Sequence, residues 1–185
     1  MTPVLALKEW GAAVHGLLLG RQTVLLRKGG IHEKRFVLQG SEFLLYPTVA
    51  HSHAESTRPE HADLLAPGAL DVVDGAIRLQ AAASVVAAIE VVRPERIADL
   101  EPFHIWTTPS VRANRIDFRP RHRLTAIVVS VRPLATPVLV PVLPEYGGCR
   151  SWVDLPALPG TELGAPVRSA ADLRSVAAQV QRRVG

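Results

Sequence analysis

The chain has 185 residues, 48% hydrophobic and 21% charged, with a formal net charge of +4 and a sequence pI near 9.8, which fits one domain with a sizeable core and excludes a disordered or fibrous chain. No apolar run approaches the roughly 20 residues of a membrane span, and a lone cysteine, Cys149, excludes an internal disulfide and any multi-cysteine metal site. Met1-Thr2-Pro3 lacks the basic start of a secretory signal, so a cytoplasmic location is expected.

Leu7, Trp10, Val14, Leu17 and Leu18 recur at helical spacing and Gly20 follows, predicting an amphipathic helix from Ala6 to Leu19. Gln22 to Lys28 reads as a strand, broken by Gly29-Gly30; Glu33 to Gln39 reads as a short second arm, and Gly40-Ser41 as a turn. Phe43 to Tyr46 reads as a strand that Pro47 keeps out of a central ladder. His51 to Leu65 is polar and partly helical, with Pro59 as a start signal, and Pro67-Gly68 and Asp74-Gly75 read as turns.

Ala82 to Val92 reads as a buried strand, Pro94 to Leu100 as a helical turn, and Trp106 to Phe118 as an irregular or helical piece. Leu124 to Arg132 alternates cleanly, with Ile127, Val129 and Val131 on one face and Leu124, Ala126 and Val128 on the other. Apolar residues on both faces require a closed barrel or a covered sheet. Val138 to Leu143 contains Pro141 and belongs on an edge or in an extended connection; Tyr146-Gly147-Gly148 reads as a turn and Ser151 to Leu155 as a last short strand. A linker from Pro156 to Pro166 leads to a final helix, Ser169 to Val184, capped by Ser169 and Asp172.

Charge is unevenly spread. Arginine supplies nearly all the cations, which a GC-rich codon bias also produces, so clustering is more informative. Arg112, Arg115, Arg119, Arg121 and Arg123 are opposed within their span only by Asp117, whereas Glu55 to Glu101 is rich in acids. Such polarity is common in nucleic-acid binders.

Specific catalytic signatures are missing: there is no G-x-S-x-G elbow, P-loop or Rossmann fingerprint. His51, His53 and His61 lack a metal-ligand spacing and read as a solvated loop. Cys149 beside Arg150 reads as a packed small hydrophobe. Glu33, Glu42 and Lys28 could furnish the carboxylates and lysine of a metal-dependent nuclease or nucleotide hydrolase, which is the enzymatic alternative. No catalytic residue, metal or cofactor is assigned. The stronger pattern is basic plus aromatic, Arg27, Lys28, Tyr46, Trp106, Arg112, Arg150 and Trp152, and Gly29, Thr48 and His51 complete the expected ligand-binding set. Single-strand binding sites combine a cationic groove with aromatic stacking platforms.

Four segments, ALKEW at Ala6 to Trp10, LLRKGGI at Leu25 to Ile31, FLLYPT at Phe43 to Thr48 and YGGCRSW at Tyr146 to Trp152, resemble a bacterial family of uncharacterised proteins. Fusion of some members to restriction-endonuclease-like domains implies a nucleic-acid or defence context. GRQTVLLRK at Gly20 to Lys28 also resembles the opening of ASCH domains of the PUA-like superfamily, where G-x-K-T-x-E-x-R is typical; this chain carries Gln22 and Leu25 at the Lys and Glu positions. That resemblance implies an α+β fold: a small mixed, PUA-like β-barrel over residues 1–155, with an N-terminal helix outside. Residues 156–185 would form a linker and a C-terminal helix packed on the same domain. It further implies binding of RNA, modified bases or nucleotides in a cleft.

The resulting expectation is a nucleic-acid or nucleotide-binding module without membrane association. Arg27 and Lys28 would contact phosphate, Tyr46 and Trp106 would stack, and Thr48, His51 and Arg150 would add polar contacts. A second alternative is a protein-interaction subunit of a defence system, docking through the C-terminal helix.

Overall fold

A computed structural model describes residues 4–29, 36–148, 150–158 and 161–185. Cys149, Gly30 and Glu33 fall outside these, as does part of the expected arm from Glu33 to Gln39. The chain opens with strand β1 (Val4–Trp10), helix α1 (Gly11–Leu18), strand β2 (Val24–Lys28) and strand β3 (Glu42–Thr48). Helix α2 (His53–Ser56), a 3-10 segment (Pro59–Leu64) and helix α3 (Leu65–Leu70) lead into the short strand β4 (Val72–Val73). The long strand β5 (Ala76–Glu90) is followed by a 3-10 segment (Pro94–Phe103), helix α4 (Thr108–Val111), a π-helical turn (Arg112–Asp117) and the long strand β6 (Leu124–Pro141). Strand β7 (Trp152–Leu155) and helix α5 (Ala170–Val184) complete the order.

Among the described residues, the seven strands join one mixed sheet in the order β2-β6-β5-β3-β1-β7, with β4 paired to β5. Among the described residues, only β1 and β3 pair in parallel. The architecture is therefore α+β, as expected, but the sheet is not closed into a barrel. Its ends, β2 and β7, share no ladder among the described residues. Curling nevertheless brings β2 against β1, where the Arg27 side chain donates to the Lys8 carbonyl at 3.0 Å. A side chain thus spans a gap that a backbone ladder would close in a barrel.

The alternation read from β6 is observed. Ile127, Val129 and Val131 pack with Leu7, Leu25 and Leu45 inside the curl, under Val14 and Leu17 of α1. Leu124, Ala126 and Val128 pack outward with Val24, Leu26 and the α5 residues Leu173, Val180 and Val184. A third cluster joins Ala6, Leu44 and Tyr46 to Leu79, Val140 and Val153. Strands buried on both faces need apolar residues throughout, which is why their sequences lack a polar face. Two register shifts, between Leu79 and Ala81 and between Val85 and Ala87, interrupt the long β5–β6 pairing; such irregularities increase local bend and twist.

The expected helix from Ala6 to Leu19 divides. Val4 to Trp10 is a strand because Ala6 and Leu7, both fully buried, serve opposite faces of the sheet, while β3 and β7 pair with it on either side. The helix begins only at Gly11. Pro67-Gly68 is not a turn but part of α3, and a side chain at Gly68 would meet the backbone of Gly11 and Ala12. Pro47 is tolerated within β3 because pairing to β5 ends at Leu44, leaving β1 as its sole ladder neighbour. Asp74-Gly75 is the expected turn, with Gly75 at φ +71°, a conformation that glycine adopts without steric cost. Ser169 caps α5, its Oγ accepting from Asp172 N at 3.1 Å. Among the described residues, no helix is long and apolar enough to cross a membrane.

Candidate nucleic-acid interface

The ends of β1, β2 and β3 meet around Glu9, which is almost fully buried. Its carboxylate accepts from Trp10 N at 2.8 Å and lies 3.6 Å from the Arg27 guanidinium. Its carbonyl accepts from Thr48 Oγ1 at 3.2 Å. Burial lowers the Arg27 pKa from its ordinary value and the Glu9 charge opposes that shift. The Arg27 guanidinium also lies 5.4 Å from the Phe36 ring centre. Arg27 is consequently a partnered internal cation and not the solvent-facing phosphate contact expected at the strand end.

Trp10 extends this centre. Its indole stacks on the His53 ring with centroids 3.8 Å apart and meets Trp106 edge-on at 6.0 Å. Burial, and then the charge of Arg115, push His53 down to about 4. Trp106 is 5% exposed and its Nε1 has no hydrogen-bond partner among the described residues. With Trp10, Ser110, Asn114 and Arg115 it lines a crevice of about 10 Å³, space for about one water. Trp106 is therefore a core indole and offers no open stacking face.

Arg115 is shared between this crevice and an adjoining groove of about 480 Å³. Lys28, His122 and Arg123 supply the groove's other basic side chains, and Glu90 and Asp117 its acids. Arg123 pairs with Glu90. Lys28 Nζ donates to the Ile116 carbonyl at 3.2 Å and to the Phe118 carbonyl, clamping the end of the π-helical turn. Burial lowers its pKa first, and Arg115 and Arg119 lower it further against the opposing charge of Asp117. Positive field thus exceeds negative field at this amine, a condition that favours an incoming anion.

Several expected site residues lie elsewhere. Tyr46 is 4% exposed and contacts Tyr146 edge-on at 6.2 Å, so it packs the third cluster and cannot stack a ligand. Trp152 stacks on Phe36 and donates from Nε1 to the Val37 carbonyl at 3.0 Å. Gly29 is buried, with its carbonyl 3.4 Å from His122 Nδ1, and is not a solvent-facing turn. Arg112 donates to the Glu95 carbonyl at 3.1 Å, while His51 and Arg150 are exposed. Arg27, Thr48 and Trp106 surround Glu9 and Trp10; Lys28 and Arg112 flank the π-helical turn; Tyr46 and Trp152 belong to other packing clusters. The ten residues do not form one cleft.

The histidines are also dispersed. His51 is exposed, His53 is on Trp10, and His61 Nε2 lies 3.1 Å from the Arg58 guanidinium. No group of three or more His, Cys, Asp or Glu side chains suited to a metal occurs among the described residues. Glu42 lines a different cavity from Lys28.

An aromatic and a basic residue outside the expected set, Phe118 and Arg119, follow the groove-lining Asp117 in sequence. Phe118 is 56% exposed, and the Arg119 guanidinium lies 4.9 Å from its ring centre. An aromatic embedded between Arg115 and Arg121 is the sequence signal that marks them.

The structure is an α+β protein with a groove whose basic side chains are Lys28, Arg115, His122 and Arg123. The model of the family described as "Domain of unknown function (DUF1802)" matches residues 6–179, and the chain belongs to that family. A similar solved structure is the crystal structure of a mutant of the ZmASCH protein from Zymomonas mobilis, 13% identical over 82% of this chain and 87% of that one, with a TM-score of 0.48. No curated protein matches the chain.

Proposed function

We propose that this is a nucleic-acid or nucleotide-binding module of PUA-like type whose ligand lies along the groove between the end of β2, the start of β6 and the π-helical turn. The observation that carries this reading is the placement of Lys28 and Arg115 in one groove, with the charge of Arg119 also felt at the Lys28 amine. Exposed Arg121 extends the positive surface. A groove of this size falls within the range that encloses a small ligand, and arginine pairs well with phosphate oxygens.

Binding of labelled single-stranded RNA and DNA, followed as salt is raised, tests the proposal. Affinity should fall linearly with the logarithm of salt concentration, and Arg121→Ala should reduce the slope by about 0.7, the release expected for one phosphate contact on a single strand. Failure to bind any oligonucleotide or nucleotide at low salt sinks it.

A further inference from the structure

Resting on that reading, we infer that Phe118 is a stacking platform for an unpaired base, making the preferred ligand single-stranded nucleic acid. Phe118 is 56% exposed, and stacking on a base requires an aromatic ring with a face open to solvent. Its position is held from both sides. The preceding turn is anchored by Ile116, which packs against the outer core cluster, and Lys28 holds the carbonyls of Ile116 and Phe118. The following residue, Arg119, is the only non-glycine with positive φ among the described residues, at +54°; His122 N then donates to its carbonyl at 2.9 Å.

This geometry directs the Arg119 guanidinium over the Phe118 ring. The guanidinium supports the ring from one side and adds charge, while the rest of the ring is open to solvent, with exposed Arg121 three residues further along the chain. Asp117 and Glu90 are the neighbouring acids, and Glu90 is occupied by Arg123. Cations track a backbone of phosphates, and an aromatic face accepts any base. A duplex keeps its bases stacked inside, so only an unpaired base reaches the ring. Charge complementarity therefore selects a nucleic acid over a neutral apolar partner.

The test measures anisotropy of a labelled oligouridine, an abasic oligomer of equal length, and a duplex, with wild type, Phe118→Ala and Phe118→Trp. Thermal melting of each variant establishes equal folding. Phe118→Ala should weaken oligouridine binding about 5- to 150-fold, the span of one stacked base, and leave the abasic oligomer unchanged; Phe118→Trp should retain or improve binding. Equal losses for oligouridine and the abasic oligomer, or no loss for either, overturn the platform while leaving the cationic groove intact. Absence of binding by wild type to all three overturns both readings together.

Discussion

The imidazole of His53 lies flat on the indole of Trp10, with ring centroids 3.8 Å apart and planes 16° from parallel. The contact ties the segment after β3 to the end of β1 and places a titratable ring in a buried setting, near the cationic Arg115. Burial and Arg115 hold His53 at about 4, and burial with Arg58 and His61 holds His104 at about 3. Both rings are neutral in the folded protein at neutral pH.

The sign of the pH dependence follows. Unfolded histidines titrate near the ordinary value of about 6.5, so between that pH and the folded values the unfolded chain binds more protons. Stability contributed by the two neutral rings is fully present above pH about 6.5 and is lost as pH falls through about 4 for His53 and about 3 for His104. Thermal midpoints measured from neutral pH downward should decline through this range. His53→Phe preserves the ring stack and removes one titration, so it should make the decline shallower; an unchanged profile contradicts the assignment to His53.

Arg27 and Glu9 form an internal charge pair, and losing one member leaves the other stranded. Arg27→Met should destabilise the fold by about 3–5 kcal/mol, the usual cost of an uncompensated buried charge. Combining it with Glu9→Gln should recover a substantial part, since glutamine retains an acceptor for Trp10 N. Urea denaturation of the two single variants and the double variant measures the coupling; additive losses reject it.

Gly68 and Gly11 bring α3 and α1 into backbone contact. A Cβ at Gly68 would overlap Ala12 N, and one at Gly11 would overlap the Gly68 carbonyl oxygen. No side-chain rotation relieves a clash with backbone, so either alanine substitution should cost at least about 1–3 kcal/mol. Gly75→Ala provides a contrast: nothing lies within 4 Å of its Cβ, and its cost should come from positive φ alone, about 1 kcal/mol. Chemical denaturation of the three variants ranks them.

Lys28 stabilises the carbonyl end of the π-helical turn. Lys28→Met should leave overall stability reduced by about 1–2 kcal/mol, in line with loss of charge-assisted hydrogen bonds, and should accelerate amide exchange in residues 112–123 more than in β6 beyond Arg132. Uniform acceleration would indicate global destabilisation instead of release of this turn.

The parts of the fold most legible in the sequence are those whose neighbours demand opposite things of adjacent residues. β6 reads as a two-faced strand because Ile127, Val129 and Val131 enter one cluster while Leu124, Ala126 and Val128 enter another. α5 likewise declares its start through Ser169 and its buried stripe through Leu173, Val180 and Val184. β1 misleads because Leu7, Val14 and Leu17 share one cluster across a strand–helix junction, imitating a single helical stripe. At the site, local sequence locates the arginine cluster but does not show that Arg27 meets Glu9, since that contact depends on how far the sheet curls. Phe118 is visible as an aromatic among arginines, whereas its exposure depends on the turn geometry that Lys28 holds.

The reach of Arg27 from β2 to β1 has a mechanical consequence. Elsewhere the wall of the curled sheet is stitched by backbone ladders, which part only when several hydrogen bonds break together. Here no ladder joins β1 to β2 among the described residues, and the Arg27 guanidinium bridges the seam at the Lys8 carbonyl and the Glu9 carboxylate. Loss of those contacts would therefore loosen the β1–β2 seam without breaking a ladder, leaving the strands joined by the buried packing of Leu7 with Leu25.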